Sequence, residues 1–562
     1  MNHVVLCIAL SLAMVAPPTV AQSLSDLRND EATPGDVTTY GMGWAQQRYS
    51  PLKQISTDNV KRLTPVWNLS LNHAGNASVQ PVLVDGIMYI TLHDATVAVD
   101  ALTGRQKWRA PIDLPPDINA YLCCGIQNRG GAVLDGVLYR TTIDAHVMAI
   151  NMKDGKTLWK SKATDYKQGY SLTHAPLIAG NVLVTGSSGG EFGGRGFLIG
   201  WDLRTGEKKW HRWTTAAPGE KGGETWAPGA YKDGGANPWI TGTYDPELDL
   251  MYWGTSNGGP WNAATRGGDS LYISSVLALR PSTGEIVWHY QFSPGDPYDY
   301  DGVNELVLAE LPMGGKNTKV LMQANRNGFF YVLDRTNGKL LSAKPFAKKI
   351  NWATGIDMAT GRPIDTPMTA SVRKTEESKH FVEVWPSAFG GKNWPPMSYD
   401  PAHGVAYFNS VNLGMKVKYV KQQRPPQPTW YLGLELGGFV SPEDGMRGAL
   451  VAWDVVAGKK LWEVPSSVPF WSGVVSTAGG LAFVGALTGE FMAFDTATGK
   501  KLWQFQTGSG ITGAPIVWER NGKQYVTVTS GSGTTLYAAF SGDPALANVV
   551  PGSSLWTFAL QE

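Results

Sequence analysis

The chain has 562 residues, of which 43% are hydrophobic, and its 48 basic residues balance 47 acidic residues. A net charge of +1 excludes the strongly basic surface that nucleic-acid binding requires. The 66 glycines, well above the average share of roughly 7%, and the 22 tryptophans indicate many tight turns and large packed side chains.

The first 21 residues are typical of an export signal. Residues 4–15 form an apolar run that is too short to span a bilayer, and Pro17 and Pro18 end it. Small residues at 19–21 then precede a plausible cleavage site before Gln22. Because the run is preceded only by the start amine and His3, a retained membrane anchor is the alternative. We expect residues 1–21 to be removed on export to the periplasm, residues 22–562 to form a single domain, and no membrane span to follow.

One short helix is predicted near the new N-terminus, where residues 56–59 (STDN) offer a cap before VKRL. Beyond it, the chain is organised by a repeat in which an apolar strand is followed by a turn with glycine and then by tryptophan. The copies occupy residues 100–108, 151–159, 202–210, 280–288, 454–462 and 495–503, with a weaker one at 334–342. The gap between Gly338 and Gly458 is twice the usual spacing, and the stretch around Gly404 fits there as a degenerate eighth copy.

The repeat predicts blades of a propeller. In each copy a tight turn joins two strands, with glycine where positive φ is needed and aspartate bonding its own backbone. The tryptophan is large enough to fill the gap between neighbouring sheets. Units of about 40–50 residues with this signature predict an all-β, eight-bladed β-propeller. We expect the C-terminal SSLWTFAL to pair with N-terminal strands and close the ring. The fold alone does not assign a function, since many propellers only bind partners.

Cys123 and Cys124 are the only cysteines left after removal of residues 1–21. Two neighbouring cysteines can pair only in a strained small ring, so two buried thiols are the alternative to a disulfide. An exported protein lies where disulfides persist, which favours the Cys123–Cys124 bond.

Four residues in glycine-rich or turn segments are candidate ligands for a hard cation: Glu191, Asn257, Asp299 and Asp301. In a strand, residues two apart share a face, so Asp299 and Asp301 could project together. Each taken alone is more often a turn residue. No helix pattern follows the glycines around Glu191, so a dinucleotide fingerprint is not favoured.

Two arginines and two tryptophans outside the repeat are further candidates. Arg129 follows the cysteine pair, and Arg326 lies in ANRNGFF; each could instead pair with surface carboxylates. Trp239 and Trp471 could contact a bound group or simply pack in the core.

In chain order, the segments GWAQQRYSPLKQISTDNVKRLTPVW, YLCCGIQNRG, GSSGGEFGGRG, GTSNGGPWN, GDPYDYDGVNE, ANRNGFFYVLDRTNG, GGKNWPPMSYDP and GSGITGAPIVWERNGKQYVTV resemble those of the pyrroloquinoline-quinone (PQQ) alcohol dehydrogenases, the methanol and ethanol dehydrogenase family. The resemblance covers nearly the whole chain after residue 21. It implies periplasmic oxidation of alcohols to aldehydes or ketones by hydride transfer to metal-bound PQQ. No ordinary side chain accepts a hydride, which agrees with a cofactor-dependent reaction.

The resemblance also implies a role for each candidate. Glu191, Asn257 and Asp299 would surround one metal ion, with Asp299 as catalytic base. Asp301 matches the extra aspartate of lanthanide-dependent members, whereas calcium-dependent members usually have a small residue there, so the ion would be Ca²⁺ or a lanthanide, and Asp301 favours a lanthanide. Trp239 would stack on one face of PQQ and the cysteine ring on the other, with Arg326 beside the quinone oxygens and Trp261 as a wall of the substrate pocket. Further cofactor contacts would come from Arg129, Thr173, Ser188, Gly189, Gly190, Asn412 and Trp471.

The sequence departs from the family at Ser78, where many members have a cofactor-contacting glutamate, and at Thr534, where methanol-oxidising members have tryptophan. The second departure favours a roomier pocket for larger alcohols. Because no CxxCH haem-attachment motif occurs, the resemblance implies a separate soluble cytochrome c as electron acceptor. A homodimer is left open. The alternatives are a binding propeller without catalysis and a quinoprotein that oxidises sugars or polymeric alcohols.

Overall fold

A computed structural model describes residues 23–28, 33–72, 76–532, 540 and 542–561, so the predicted export signal lies outside the described residues. Eight antiparallel sheets follow one another along the chain, and we number them as blades 1 to 8. Their strands, in order across each sheet, are as follows. Blade 1 has Val82–Val84, Ile87–Thr91, Ala95–Asp100 and Gln106–Pro111; blade 2 has Ala132–Leu134, Val137–Thr141, His146–Asn151 and Thr157–Lys162; blade 3 has Leu177–Ala179, Val182–Gly186, Phe197–Asp202 and Lys208–Trp213; and blade 4 has Thr243–Asp245, Leu250–Gly254, Ser275–Leu279 and Ile286–Gln291. Blade 5 has Val307–Met313, Lys316–Ala324, Phe329–Asp334 and Leu340–Pro345; blade 6 has Ser398–Asp400, Val405–Val411, Gly448–Asp454 and Lys459–Ser466; blade 7 has Val475–Thr477, Leu481–Gly485, Glu490–Asp495 and Lys501–Gln506; and blade 8 has Ile516–Arg520, Lys523–Ser530, Ser554–Leu560 and the N-terminal strand Leu63–Ser70.

The ring closes as predicted. Leu63–Ser70 pairs antiparallel with the C-terminal strand Ser554–Leu560 in the eighth blade, and Tyr49–Ser50 adds a short parallel strand to the seventh. Closure leaves no open edge between the first and last blades. The core lies between neighbouring sheets, where side chains such as Val97, Phe491 and Phe558 from blades 1, 7 and 8 pack in one cluster.

The turn glycines and tryptophans of the repeat pack against each other between most neighbouring blades, whereas Gly458 of blade 6 meets Lys344 of blade 5. Gly206 of blade 3 has φ +71, and a Cβ there would lie 2.5 Å from the indole of Trp159 in blade 2. The indole Nε1 of Trp159 donates to the carbonyl of Leu203 in the same turn, at 3.2 Å. Equivalent contacts join Trp67 to Gly104, Trp108 to Gly155, Trp210 to Gly284, Trp288 to Gly338 and Trp462 to Gly499. The prediction that the tryptophan fills the space between sheets is therefore confirmed.

Eight blades are confirmed, but the predicted eighth copy was wrong. Gly404 lies between the first and second strands of blade 6, whose third and fourth strands already carry the copy at residues 454–462. The eighth blade instead takes its fourth strand, with Trp67, from the N-terminal end of the chain.

The long gap before Gly458 holds an insertion between blades 5 and 6 and within blade 6. It contains the strands Ala353–Ile356, Pro363–Asp365, Val382–Val384, Gly414–Tyr419 and Leu434–Val440, and the helix Pro367–Val372. The other helical segments are the α-turn Ala263–Arg266 and the 3₁₀ turns Val60–Arg62, Ile118–Tyr121, Tyr166–Gln168, Gly190–Phe192, Gly223–Thr225, Ala230–Asp233 and Pro544–Leu546. The helix predicted after residues 56–59 is thus a single 3₁₀ turn, and Asn59 makes no side-chain cap because its Oδ1 instead accepts from Ser56 N. Within the described ranges, no helix is long and apolar enough to cross a bilayer.

Candidate active site

Two kinds of loop build one end of the propeller. The chain enters the first strand of each blade, and connects the second to the third, at the same end of the sheet, because the four strands run up and down in turn. The tryptophan-docked turns lie at the opposite end. Nearly all the predicted site residues lie in these two kinds of loop: for example, Trp239 precedes blade 4, and Arg326 joins the second and third strands of blade 5.

These loops enclose a cavity of about 270 Å³. It is lined by the predicted residues Cys123, Cys124, Arg129, Thr173, Ser188, Gly189, Gly190, Glu191, Trp239, Trp261, Asp299, Asp301, Arg326 and Trp471. Its walls are mostly apolar and aromatic with a few convergent polar groups, as is usual for a small-molecule site. The structure thus brings together residues that are more than 300 positions apart in the sequence.

An acidic cluster lies at one side of the cavity. The Arg326 guanidinium donates to Asp299 Oδ2 at 2.9 Å and pairs with Asp301 Oδ2 at 2.8 Å. Asp301 also accepts from the Trp239 indole at 3.0 Å and from the Asn257 backbone N–H at 2.6 Å. The alternation argument assumed that the two aspartates share a face of one strand, and this is not the case. They lie in an irregular loop in which Asp299 has φ +66, and the common partner Arg326 brings them together.

The oxygens of this cluster fit a hard cation. Asn257 Oδ1 and Asp299 Oδ1 are buried and have no hydrogen-bond partner, which is costly unless another group binds them. Glu191 approaches from the 3₁₀ turn Gly190–Phe192 and lines the same cavity. The charges of Asp299, Asp301 and Glu191 all act on Arg326, an excess of negative charge that a cation would balance, although among the described residues the ligand atoms of these three carboxylates do not all lie within 4.8 Å of one another.

The pKa values reflect that excess. Burial raises the pKa of Asp299 well above its usual value, and the charges of Asp301 and Glu191 add to the rise, although Arg326 opposes it. Burial likewise raises the pKa of Asp301 to about 6. Bound positive charge would lower both values and favour the ionised carboxylates.

The cysteine pair lies beside Glu191. The Cys124 thiol is 3.8 Å from Glu191 Oε2, and the ligand atoms of Cys123, Cys124 and Glu191 all lie within 4.8 Å of one another. In the structure both cysteines are thiols and Cys124 is exposed. The disulfide stays a prediction.

Trp239 presents its indole between charged groups. The guanidinium carbons of Arg129 and Arg326 lie 4.9 Å and 5.8 Å from its ring centroid. Arg129 also donates to Thr173 Oγ1 at 2.6 Å, and Thr173 Oγ1 lies 3.3 Å from Ser188 Oγ. Two guanidinium groups therefore lie near the flat indole, and hydroxyl groups extend from one of them, donors that suit a planar anionic ligand.

Close backbone packing explains the glycines at 189 and 190. Gly189 has φ +121, and a side chain there would collide with the carbonyl of Gly169. At Gly190 a Cβ would lie 2.9 Å from Asn237 Oδ1. Only glycine allows the turn that carries Glu191 to lie this close to its neighbours.

Two predicted residues do not line the cavity. Asn257 is 1% exposed, and its backbone N–H donates to Asp301 Oδ1. Asn412 is buried, and its Nδ2 donates to Met446 O at 3.4 Å. Ser78, the departure from the family glutamate, bonds Asn76 and Thr512 away from the lining, and Thr534 lies outside the described residues.

Sequence reasoning missed a large part of the wall. The further lining residues are Gly125, Gln127, Ser171, Ser256, Ala388, Phe389, Asn393, Trp394, Trp430, Leu432, Leu436 and Phe439. Several come from the insertion, where Phe439 stacks on Phe389 with ring centroids 4.6 Å apart. Trp430, Leu436 and Phe439 are 42–49% exposed. The doubled repeat spacing was the signal that could have directed attention to them.

The chain is similar to known proteins over nearly its whole length. The family model described as PQQ glucose/ethanol/alcohol dehydrogenase, β-propeller domain, matches residues 38–345 and 448–526, and the unmatched residues between contain the insertion. The chain is 39% identical to the quinoprotein alcohol dehydrogenase PedH of Pseudomonas putida, over 96% of this chain and 93% of that protein. It is 39% identical to the quinoprotein ethanol dehydrogenase of Pseudomonas aeruginosa, over 99% and 96%. It is 36% identical to the lanthanide-dependent methanol dehydrogenase of Methylacidiphilum fumariolicum, over 93% and 89%.

The solved structure of a europium-containing methanol dehydrogenase superposes with a TM-score of 0.89 at 35% identity, covering 96% of this chain and all of that one.

Proposed function

Because the chain belongs to the PQQ-dependent alcohol dehydrogenases, we propose that it oxidises alcohols to aldehydes or ketones in the cavity that Trp239, the cysteine pair and the acidic cluster enclose. The observation that carries the proposal is that residues from several blades converge on one cavity with orphaned oxygens at one side. Trp239, Arg129, Thr173 and Ser188 would hold the planar cofactor. Asn257, Asp299, Glu191 and Asp301 would hold the metal ion.

When bound, PQQ and its metal ion supply the hydride acceptor and the Lewis acid that side chains lack. Asp299 removes the hydroxyl proton, and its Oδ1 is the atom left without a partner. The alcohol carbon gives up its hydrogen with two electrons, so one proton on Asp299 and one hydride account for the carbonyl product. Arg326 holds Asp299 Oδ2 at 2.9 Å and so fixes which oxygen is available as base.

The mouth of the cavity favours alcohols with an apolar body. Trp430, Leu432, Leu436 and Phe439 line it, and the exposed ones would lose contact with water when such a substrate binds. Trp261, which is 6% exposed and lines the same cavity, would form a further part of the wall. We therefore expect larger primary or secondary alcohols to have a lower KM than methanol.

The electrons are passed to a separate acceptor, which we propose is a soluble periplasmic cytochrome c. The supporting observation is that the sequence carries no haem-attachment motif. The extra carboxylate of Asp301 favours a trivalent lanthanide over Ca²⁺, because a third negative charge attracts the higher charge more strongly. The predicted export signal at residues 1–21 supports a periplasmic location.

The test is reconstitution of the purified chain with PQQ and with either Ca²⁺ or La³⁺, followed by dye-linked turnover on methanol, 1-butanol and 2-phenylethanol. We expect PQQ absorption to appear on the protein and kcat to fall by about 10² to 10⁴ in Asp299→Asn, the range typical of general-base catalysis. Leu436→Ser should raise KM for 2-phenylethanol and leave KM for methanol unchanged. Binding of PQQ without turnover of any alcohol would reject the proposal.

A further inference from the structure

Asp296 braces the loop that carries the proposed base. Its carboxylate is 1% exposed and accepts the backbone N–H of Tyr298 at 3.3 Å and of Tyr300 at 2.8 Å. These two N–H groups lie on either side of Asp299, whose φ of +66 is unusual for a residue with a side chain. The carboxylate therefore holds the turn in which Asp299 projects into the cavity.

Arg266 joins this loop to the loop of Asn257. Its side chain is fully buried and donates to the backbone carbonyl of Asp296. Its guanidinium also lies against Gly258, next to Asn257, so closely that a Cβ on Gly258 would collide with it. Arg266 Nε and Nη1 have no hydrogen-bond partner. Burying these nitrogens without partners costs free energy. Arg266 contacts two loops that each carry a proposed metal ligand.

Two tyrosine hydroxyls also form hydrogen bonds that hold the loop on either side of Asp299. The hydroxyl of Tyr300 donates to Pro386 O at 2.6 Å, and the hydroxyl of Tyr419 donates to Pro297 O at 2.9 Å. Together with Arg326, which donates to Asp299 O at 3.0 Å, these contacts hold the backbone around Asp299, and Asp296 accepts the N–H groups on both sides of it.

We infer that Asp296 and Arg266 are positioning residues that set the relative place of Asn257 and Asp299, and with it the affinity for the metal ion and kcat. The inference rests on the proposed function of the cavity. Neither residue lines the cavity or is among the proposed ligands. Partners behind metal ligands typically change metal affinity or activity about 10- to 100-fold when removed.

The experiment titrates the full chain, in the presence of PQQ, with Tb³⁺ and follows tryptophan-sensitised luminescence, since Trp239, Trp261 and Trp471 line the cavity. We expect Asp296→Ala to weaken Tb³⁺ binding about 10- to 100-fold and to lower kcat. KM for 2-phenylethanol should stay unchanged, because the apolar wall is untouched. Asp296→Asn should recover much of the affinity, since its oxygen can still accept from Tyr300 N–H. Arg266→Lys gives an independent variant if Asp296→Ala fails to fold, and it should also weaken Tb³⁺ binding.

Asp245 provides the matched control. It is also buried, accepts the backbone N–H groups of Glu247 and Leu248, and pairs with buried Arg335 at 2.6 Å, but it lies away from the cavity. Asp245→Ala should lower thermal stability without changing Tb³⁺ affinity. Equal weakening in Asp245→Ala and Asp296→Ala, or no weakening in Asp296→Ala, would overturn the inference while leaving the proposed function intact. A wild-type chain that binds no Tb³⁺ would overturn both.

Discussion

The contact between a turn glycine and the tryptophan of the preceding blade can be measured with a matched series of three alanine substitutions, in which Gly284 makes that contact and the other two glycines do not. Gly284, Gly458 and Gly404 have φ values of +67, +63 and +67. Alanine in this left-handed region costs about 1–2 kcal/mol, and that cost is common to all three. What differs is the space around the added Cβ.

At Gly284 the Cβ would lie 2.5 Å from Cε3 of Trp210 and 2.8 Å from its Cδ2, so the indole must move. Overpacking of this kind costs about 1–3 kcal/mol. A displaced indole also weakens the hydrogen bond from its Nε1 to Pro281 O, now 2.8 Å, which is worth about 0.5–1.5 kcal/mol. We therefore expect Gly284→Ala to lower the free energy of unfolding by about 2.5–6.5 kcal/mol, the sum of these ranges.

At Gly458 the Cβ would meet Cγ of Lys344 at 2.8 Å, and a flexible lysine can turn aside. At Gly404 nothing lies within 4 Å of the Cβ. The predicted order of destabilisation is therefore Gly284→Ala, then Gly458→Ala, then Gly404→Ala, the last by about 1–2 kcal/mol. Urea unfolding followed by far-UV circular dichroism gives the three midpoints. Equal midpoints for Gly284→Ala and Gly404→Ala would refute the docking role of Trp210.

Three further predictions concern the site and its surroundings. Asp301→Ser should reduce La³⁺-supported turnover more than Ca²⁺-supported turnover, and an equal loss would reject the charge argument. Arg326→Lys should lower kcat at least about 100-fold, because one ammonium cannot bind Asp299 and Asp301 together as the guanidinium does. Steady-state kinetics should show this loss in kcat with an unchanged KM. Burial lowers the pKa of His174 to about 3. In the unfolded chain the pKa of His174 is about 6.5, so below that pH the unfolded chain binds more protons than the folded protein. The free energy of unfolding should therefore fall from about pH 6.5 towards pH 4, and it should fall less steeply in His174→Gln.

The sequence predicted the number of blades but misplaced one, for a local reason. The turn at Gly404 has the same backbone hydrogen bond as the true repeats, from Gly N–H to the aspartate carbonyl four residues earlier, at 2.9 Å. Its φ is also the same as that of Gly284. What separates it from a repeat is that the strand after it pairs with Gly448–Asp454, some 40 residues later. Local chemistry cannot contain that information.

The site was predicted at residue types that imply ligands and bases and in the segments that carry the family resemblance; the apolar wall from the insertion was missed, together with polar lining residues such as Gln127 and Asn393. Glu191, Asp299 and Arg326 are recognisable because their residue types imply ligands and bases. Phe389 and Phe439 carry no such signal, since an aromatic residue in a sequence is more often core. Their role appears only when the insertion is placed over the cavity.

Asp301 combines charge with geometry, and the two must be separated in any test of metal preference. Its carboxylate holds three donors, the Asn257 N–H, the Trp239 indole and the Arg326 guanidinium. Serine in its place would leave these donors without that acceptor, which should disturb the cavity whichever metal is bound. That geometric loss is common to Ca²⁺ and La³⁺ and cancels in the ratio of the two activities. What remains in the ratio is the effect of the missing negative charge. The loss of activity should therefore be larger with the trivalent ion than with Ca²⁺.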